Sequence, residues 1–95
     1  MTVNKTSIQE IILSSIDEMN ESLAEDKKVE KSLNLILYGS SSSIDSLSFV
    51  GLIVSIEDSI SDAYGVELDI MELIENDDHT VDTAESLLEL LSKNL

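Results

Sequence analysis

Apolar residues recur at intervals of three and four along most of this chain, and no proline interrupts them. This spacing places apolar side chains on one face of an α-helix. The segment from about Ser7 to Met19 shows it clearly, with the apolar positions Ile8, Ile11, Ile12, Ile16 and Met19. The sequence therefore predicts an all-α fold that begins with an amphipathic helix.

Three more helices follow from the same pattern. A second runs from Ser46 to about Tyr64 and stops at Gly65, a residue type common at helix C-termini. A short helix covers about Met71 to Glu75. The last helix begins at about Asp82, and Asp82 together with Glu85 resembles a capping box. The last helix has the apolar positions Ala84, Leu87, Leu88, Leu91 and Leu95. We predict a small four-helix bundle of three main helices and one short helix.

A long connection separates the first two main helices. Residues Asn20 to Lys31 are charged and weakly periodic, which predicts a loop with one helical turn. The apolar cluster from Leu33 to Tyr38, ending at Gly39, is ambiguous between a strand and a packed loop. Because no second convincing strand exists to pair with it, we expect a loop held against the core by its leucines.

The second helix carries apolar residues around much of its circumference. We expect its main apolar face to comprise Leu47, Val50, Ile53 or Val54, and Ile60, widened by Phe49, Leu52 and Ile56. The opposite face has the recurring residues Ser48, Gly51, Ser55, Asp58 and Asp62. A glycine inside a helix costs about 1 kcal/mol relative to alanine, so Gly51 suggests close packing by a partner or a neighbouring element, or else simply tolerated drift.

Length and charge limit the function classes. The 95 residues suffice for one domain, residues 1–95. Twenty acidic residues against five lysines and no arginine give a net charge of -15. Such a surface repels nucleic acid and anionic membranes and favours basic protein surfaces. Because 42% of the residues are hydrophobic, we expect a folded domain and not a disordered acidic tail.

The chain shows no targeting or redox signal. It has no cysteine, which suits a reducing compartment. Gln9 and Glu10 interrupt the N-terminal apolar segment, and the longest other apolar run, Leu52 to Val54, is far too short to span a membrane. We expect a cytoplasmic protein without membrane insertion.

Catalytic and metal-binding patterns are weak. The single histidine, His79, would be the only base for a serine triad, and the glycine-flanked turn of a hydrolase serine is absent. We expect His79 to be a solvated turn residue. The cluster from Asn76 to His79 lacks the ligand spacing of a calcium loop. The sequence thus predicts neither an enzyme nor a dedicated metal site.

Ser46 has a more informative position. It begins the second helix, where free N–H groups and the helix dipole favour an anion. A phosphate ester on its hydroxyl would be placed favourably, while Asp45 can cap the helix and Leu47 offers an apolar contact. Taken alone, these three residues favour a simple capping role.

The wider context resembles the acyl carrier protein family over essentially the whole chain. The similarity lies in Ile44-Asp45-Ser46-Leu47, Val50, Leu52-Ile53, Ile56-Glu57-Asp58 and the segment from Tyr64 to Leu68. In that family a D-S-L motif opens the second helix, and its serine carries 4'-phosphopantetheine. The first helix, the Leu37-Tyr38-Gly39 loop end and Thr80-Val81 before the last helix also come in the family's order.

This resemblance implies a monomeric carrier and not an enzyme. A phosphopantetheinyl transferase would attach the arm from coenzyme A to Ser46 in a magnesium-dependent reaction, and the arm would hold an acyl group as a thioester. An acyl-loading ligase or acyltransferase would charge it. Synthase or transferase enzymes with basic docking patches would then use it in a fatty acid, polyketide or specialised pathway.

The resemblance also suggests residues for partner recognition, namely Asp45, Leu47, Val50, Glu57, Asp58 and Asp62. For Leu47 and Val50, packing in the core is an equal alternative. For Glu57, Asp58 and Asp62, an ordinary solvated helix face is an equal alternative. The chain departs from the family pattern at Gly51, where an acidic residue is usual, and at Asp78 and His79, where a large apolar residue commonly precedes Thr-Val. These departures, with the long charged first connection, point to a stand-alone carrier of a specialised bacterial pathway.

Three alternatives stay open. An aminoacyl or peptidyl carrier has the same fold and the same serine. An unmodified acidic helical module could bind a basic protein through its second helix, with Ser46 as a cap only. An acidic nucleic acid mimic would have the charge but would leave the D-S-L context unexplained.

Overall fold

Four α-helices account for most of the residues described in the computed structural model, which are 4–37, 44–76 and 81–95. In chain order they are α1 (Lys5–Glu21), α2 (Ser46–Tyr64), α3 (Ile70–Asn76) and α4 (Ala84–Asn94). Across these ranges there is no β-strand, and the predicted small all-α bundle of three main helices and one short helix is confirmed. None of the helices in the described ranges has an apolar stretch long enough to cross a membrane.

One hydrophobic core holds the helices together. α1 packs against both α2 and α4, and α3 contacts α2 and α4. The large apolar side chains that lose essentially all contact with water in these helices are Ile8, Ile12, Ile16, Leu52, Ile53, Ile56, Ile60, Ile70, Leu87, Leu88 and Leu91. Burial of each such side chain is worth about 1.5–3 kcal/mol. The predicted core faces of the first and last helices are confirmed, with Ile11 and Leu95 only half-buried and Leu90 buried as well.

The helix ends follow local sequence signals with one exception. α2 has the predicted bounds, and Gly65 ends it in the left-handed region at φ 66°. The capping box predicted for Asp82 and Glu85 is wrong. Thr83 caps α4 instead, because its Oγ1 accepts from the Ser86 N–H at 3.1 Å while the Ser86 hydroxyl accepts from the Thr83 N–H at 2.9 Å.

The end of the long connection pairs with the start of α4. The Leu35 and Leu33 carbonyls accept from the N–H groups of Ala84 and Glu85, both at 2.9 Å. The Leu37 side chain is buried, whereas Leu33 and Leu35 are partly buried against the core. The prediction of a loop held by its leucines is confirmed, with one isolated β-bridge, Ile36 to Thr83, as its strand-like feature.

The beginning of the connection is held by a single amide side chain. The Asn20 Nδ2 donates to the Val29 carbonyl at 2.8 Å, and the Asn20 Oδ1 accepts from the Val29 N–H at 2.9 Å. Between these two residues lies a 3-10 turn, Glu25–Lys27, which is the single helical turn predicted there. Lys31 then forms an ion pair with Asp17 of α1 at 2.8 Å. The connection is thus fixed to α1 as well as to α4.

We predict that Ser15→Ala stabilises the protein. Ser15 of α1 is only 1% exposed, and its hydroxyl has no hydrogen-bond partner among the described residues. A buried polar group without a partner costs about 1–3 kcal/mol, so its removal should raise the free energy of unfolding by about 1 kcal/mol. Urea denaturation followed by circular dichroism measures this change.

Ser14→Ala is the matched control for Ser15→Ala. Ser14 is the exposed neighbour on the same helix, so its substitution makes the same change in helix propensity without removing a buried hydroxyl. Equal effects of the two substitutions would show that the Ser15 hydroxyl carries no desolvation penalty.

Candidate functional site

Asp45 is the N-cap of α2. Its backbone is extended, and its carboxylate accepts from the Ser48 N–H at 2.7 Å. This hydrogen bond is the main reason that the pKa of Asp45 lies below its ordinary value of 3.8, with a smaller contribution from the Leu47 N–H. Ser46 is therefore the first residue inside the helix and not the cap.

The Ser46 side chain is exposed and unengaged. None of the hydrogen bonds among the described residues uses its hydroxyl. Its N–H belongs to the first turn of a 19-residue helix, where backbone donors have no intrahelical acceptor. An anion bonded to this hydroxyl would lie at the positive end of the helix dipole. The arrangement can accept a phosphate ester without rearrangement of the helix.

The start of α4 provides a contrast. There the N–H groups of Ala84, Glu85 and Ser86 all have acceptors within the protein, namely two loop carbonyls and the cap hydroxyl. At the start of α2, no described residue accepts from the Ser46 N–H. Of these two helix starts, the one beside Ser46 has more capacity left for an external anion.

The apolar face predicted for α2 is partly wrong. Leu47, Val50 and Val54 are 83%, 48% and 47% exposed, respectively. The core instead receives the face that contains Phe49, Leu52, Ile53, Ile56 and Ile60. Because apolar residues surround much of this helix, periodicity alone did not decide which of them face α1 and α3. We call these three exposed residues the α2 apolar patch, and exposed apolar patches are a common feature of surfaces that bind other proteins.

The carboxylates of α2 have two different environments. Asp58 and Asp62 are exposed to solvent, which a docking role and an ordinary solvated face both predict. Glu57 is half-buried, and its Oε2 accepts from the Ile70 N–H at 2.8 Å. Glu57 therefore joins α2 to the first residue of α3, a role that the sequence analysis missed because the two residues are distant in the chain.

A groove of about 550 Å³ lies beside Ser46, between the end of α1 and the start of α2. Its lining includes Glu18, Met19, Ser22, Ser48, Gly51 and Ser55. Gly51 is exposed, and a Cβ atom added there would meet nothing within 4 Å. No neighbouring element in the described ranges therefore packs closely against Gly51. It leaves open space in the groove.

Some predicted features lie outside the described residues. They are the serine run Ser40 to Ser43, Tyr38 and Gly39 at the loop end, Asp77, Asp78 and His79 in the acidic turn, and Thr80. Over the ranges that the structure describes, no three or more His, Cys, Asp or Glu side chains come together in a group that could hold a metal ion.

Comparisons with known proteins do not identify the chain. A scan against protein-family models, a search of curated proteins and a search of solved structures each find no match. The similarity to acyl carrier proteins therefore depends on the D-S-L segment and the order of the flanking elements. Functional conclusions drawn from it are proposals.

We predict that Glu57→Ala destabilises the protein through α3. A hydrogen bond to a charged group typically contributes about 1.5–3 kcal/mol, and because Glu57 is partly in contact with water we expect a loss of about 1 kcal/mol. Urea denaturation gives the total effect, and hydrogen exchange at the α3 amides shows its location. The exposed neighbour Asp58 supplies the control, Asp58→Ala, which removes the same charge. Equal losses in both variants would contradict a contribution from the hydrogen bond between the Ile70 N–H and Glu57.

We also predict a pH-dependent contribution from Asp45. Because folding lowers its pKa, the carboxylate stabilises the protein at pH values above 3.8, and this stabilisation is lost as the pH falls through the lowered pKa. Asparagine is a comparable N-cap without the charge. Wild type should therefore melt at a higher temperature than Asp45→Asn near neutral pH, and the two curves should converge in acid.

Thermal melts followed by circular dichroism across this pH range test the Asp45 prediction. Asp58→Asn controls for the loss of one negative charge elsewhere on α2. A difference between wild type and Asp45→Asn that stays constant down to about pH 2 would contradict the prediction.

Proposed function

We propose that the protein is an acyl carrier protein that bears 4'-phosphopantetheine on the Ser46 Oγ. The observation that carries the proposal is the position of the D-S-L segment: Asp45 caps α2, and the Ser46 hydroxyl is exposed at the first helical position. A serine that served only as a cap would instead use its hydroxyl to accept a backbone N–H.

The chain's own contribution to the attachment is limited and specific. The Ser46 Oγ would attack the phosphorus of coenzyme A that bears the pantetheine. A new O–P bond would form, the bond to the adenosine 3',5'-bisphosphate leaving group would break, and the serine proton would pass to a base on the transferase. Asp45 keeps the helix start in place, and the Ser46 N–H and helix dipole favour the negative charge of the diester. When bound, the arm supplies a thiol that this cysteine-free chain lacks.

The outer surface of α2 suits recognition by enzymes. The α2 apolar patch lies next to Ser46, and Asp58 and Asp62 follow on the same helix. An apolar contact with charged groups around it is a common design for specific association, and the charges steer a basic partner toward the surface. The proposed partners are the transferase, a loading ligase or acyltransferase, and the synthase or transferase enzymes that use the cargo. A cytoplasmic location belongs to the proposal, since attachment needs coenzyme A and the transferase in one compartment.

The α2 apolar patch also supports a second candidate. An unmodified acidic module could bind a basic protein through the same three side chains and would leave Ser46 unused. An aminoacyl or peptidyl carrier, by contrast, would use Ser46 in the same way and would differ only in its cargo. Modification of Ser46 therefore separates the carriers from the unmodified module.

The first test is the mass of the intact protein. Incubation with coenzyme A, magnesium and a broad-specificity phosphopantetheinyl transferase should add one phosphopantetheinyl group. Ser46→Ala should abolish the addition, with little loss of stability because Asp45 is the cap. Ser48→Ala is the matched control, since it removes a nearby hydroxyl on the same helix while its capped N–H remains.

Two results would contradict the proposal. An unchanged mass with several transferases would favour the unmodified module. Modification of Ser42 or Ser43 in the Ser46→Ala variant would show that the transferase responds to any exposed serine, so that the D-S-L position carries no information.

A further inference from the structure

We infer that Lys27 forms an ion pair with the phosphodiester attached to Ser46 and so balances the negative charge of this group beside Asp45. The inference rests on the proposed function, because the phosphate in question is the one that attachment would place on Ser46. It assigns a positioning role to a residue of the connection between α1 and α2, which the proposed function leaves without one.

The turn that carries Lys27 lies beside the start of α2. Leu23, which follows the end of α1, lines the groove together with Leu47 of α2. Lys27 comes four residues later, as the last residue of the 3-10 turn. The two hydrogen bonds between Asn20 and Val29 hold the ends of the segment that contains this turn, so the turn stays close to the end of α1. The connection therefore brings a lysine to the end of the bundle where α2 begins.

The charge of Lys27 acts on the start of α2. The pKa of Asp45 is lowered chiefly by hydrogen bonds with Ser48, and the positive charge of Lys27 adds to this lowering. Because the attraction between charges weakens with distance and is screened by salt, this effect requires the ammonium group to be near the Asp45 carboxylate. Ser46 is the next residue along the chain, and its side chain is exposed. A phosphate on the Ser46 Oγ would lie within the reach of the same lysine.

Lys27 is available for a further partner. Of the five lysines in the chain, Lys5, Lys28 and Lys31 each form an ion pair with a carboxylate of the protein. Lys27 is exposed, and no carboxylate within the described ranges pairs with it. In a chain with twenty acidic residues, a lysine without a partner beside a helix start suits an anion that is added later.

Attachment would create a repulsion at this helix start that Lys27 offsets. The diester is an anion, and it would be bonded to the residue next to Asp45, whose carboxyl is ionised near neutral pH because its pKa is lowered. Glu18 in the lining of the groove and Asp26 in the turn add further negative charge to this region. Like charges placed close together destabilise one another, and a cation near both of them reduces the cost.

The attached phosphate suits Lys27 better than an acidic group of a partner enzyme does. The phosphate would be tethered one residue from Asp45, so its effective concentration at the lysine would be high. A partner enzyme has no such tether. In addition, the strongly acidic surface of this protein attracts basic partner surfaces and repels acidic ones.

The test is a thermodynamic cycle on purified apo and phosphopantetheinylated proteins. The melting temperatures of both forms are measured by circular dichroism for wild type, Lys27→Gln, Lys27→Arg and Lys28→Gln. Lys28→Gln is the matched control, because it makes the same charge change one residue away in the same exposed segment. The difference between the two forms of each protein cancels the effect of the substitution on the fold itself.

We expect the gain in melting temperature on attachment to be at least about 2 °C greater in wild type than in Lys27→Gln, the size typical of an exposed ion pair in a domain of this length. Lys28→Gln and Lys27→Arg should show the wild-type gain. Sodium chloride at about 0.5 M should remove most of the effect of Lys27 through screening. The NMR signal of the Lys27 ε-methylene group should shift on attachment, whereas that of Lys28 should not.

The two proposals fail in different ways. If no protein gains a phosphopantetheinyl group, the proposed function is overturned and this inference with it. If all are modified but wild type and Lys27→Gln gain equally in melting temperature, only the Lys27 contact is overturned. Slower modification of Lys27→Gln together with an unchanged gain also overturns it, because Lys27 would then contact the transferase or coenzyme A and not the attached phosphate.

Discussion

The pairing of the long connection with the start of α4 is the interaction on which the rest of this fold depends. Two loop carbonyls satisfy the first N–H groups of α4, and the Leu37 N–H donates to the Asp82 carbonyl at 2.6 Å. The same segment places Leu37 in the core. Without it, the N–H of the buried Ala84 would lose its acceptor. The connection thus stabilises the start of α4 at the place where its own Leu37 enters the core.

The faces of α2 differ in what they contact. The face with Leu52, Ile53, Ile56 and Ile60 provides burial and hence stability. The remaining surface holds the α2 apolar patch, the exposed carboxylates and the α2 side of the groove. Since those residues contribute little to the core, substitutions there should have small effects on folding. The Ser46 hydroxyl lies at the head of all these surfaces.

Local signals allowed most of the helices to be predicted from the sequence. Asp45 and Gly65 mark the ends of α2 through side-chain and backbone preferences that act within a few residues, so both ends were predicted correctly. The start of α4 was not, because Thr83 and Ser86 form a reciprocal cap in which a serine takes the place of the usual Glu or Gln. Pairing between Leu35 and Ala84 joins distant parts of the chain, and no local pattern encodes it.

At the site, too, features set by neighbouring residues could be predicted, whereas features set by distant contacts could not. The D-S-L segment predicted a helix start at Ser46, because capping is local. The exposure of Leu47 and Val50 depends on which face of α2 packs against the neighbouring helices. The spacing of apolar residues alone is compatible with more than one buried face. Glu57 required knowledge of where α3 begins. The groove needs two helices to form, so only its α2 half, the recurring small residues, was visible in the sequence.

The contact between Asn20 and Val29 has a consequence for variation in the length of the chain. The amide of Asn20 pairs with both backbone groups of Val29, as a neighbouring strand would. The segment between them is exposed from residue 24 to residue 28. The two Asn20–Val29 hydrogen bonds, which we call the clamp, hold the two ends of this segment together. The entropy of closing a loop grows only with the logarithm of its length. Residues 24–28 are therefore where insertions or a fused peptide can be accommodated, because the clamp keeps changes in this short loop from displacing the paired leucines downstream.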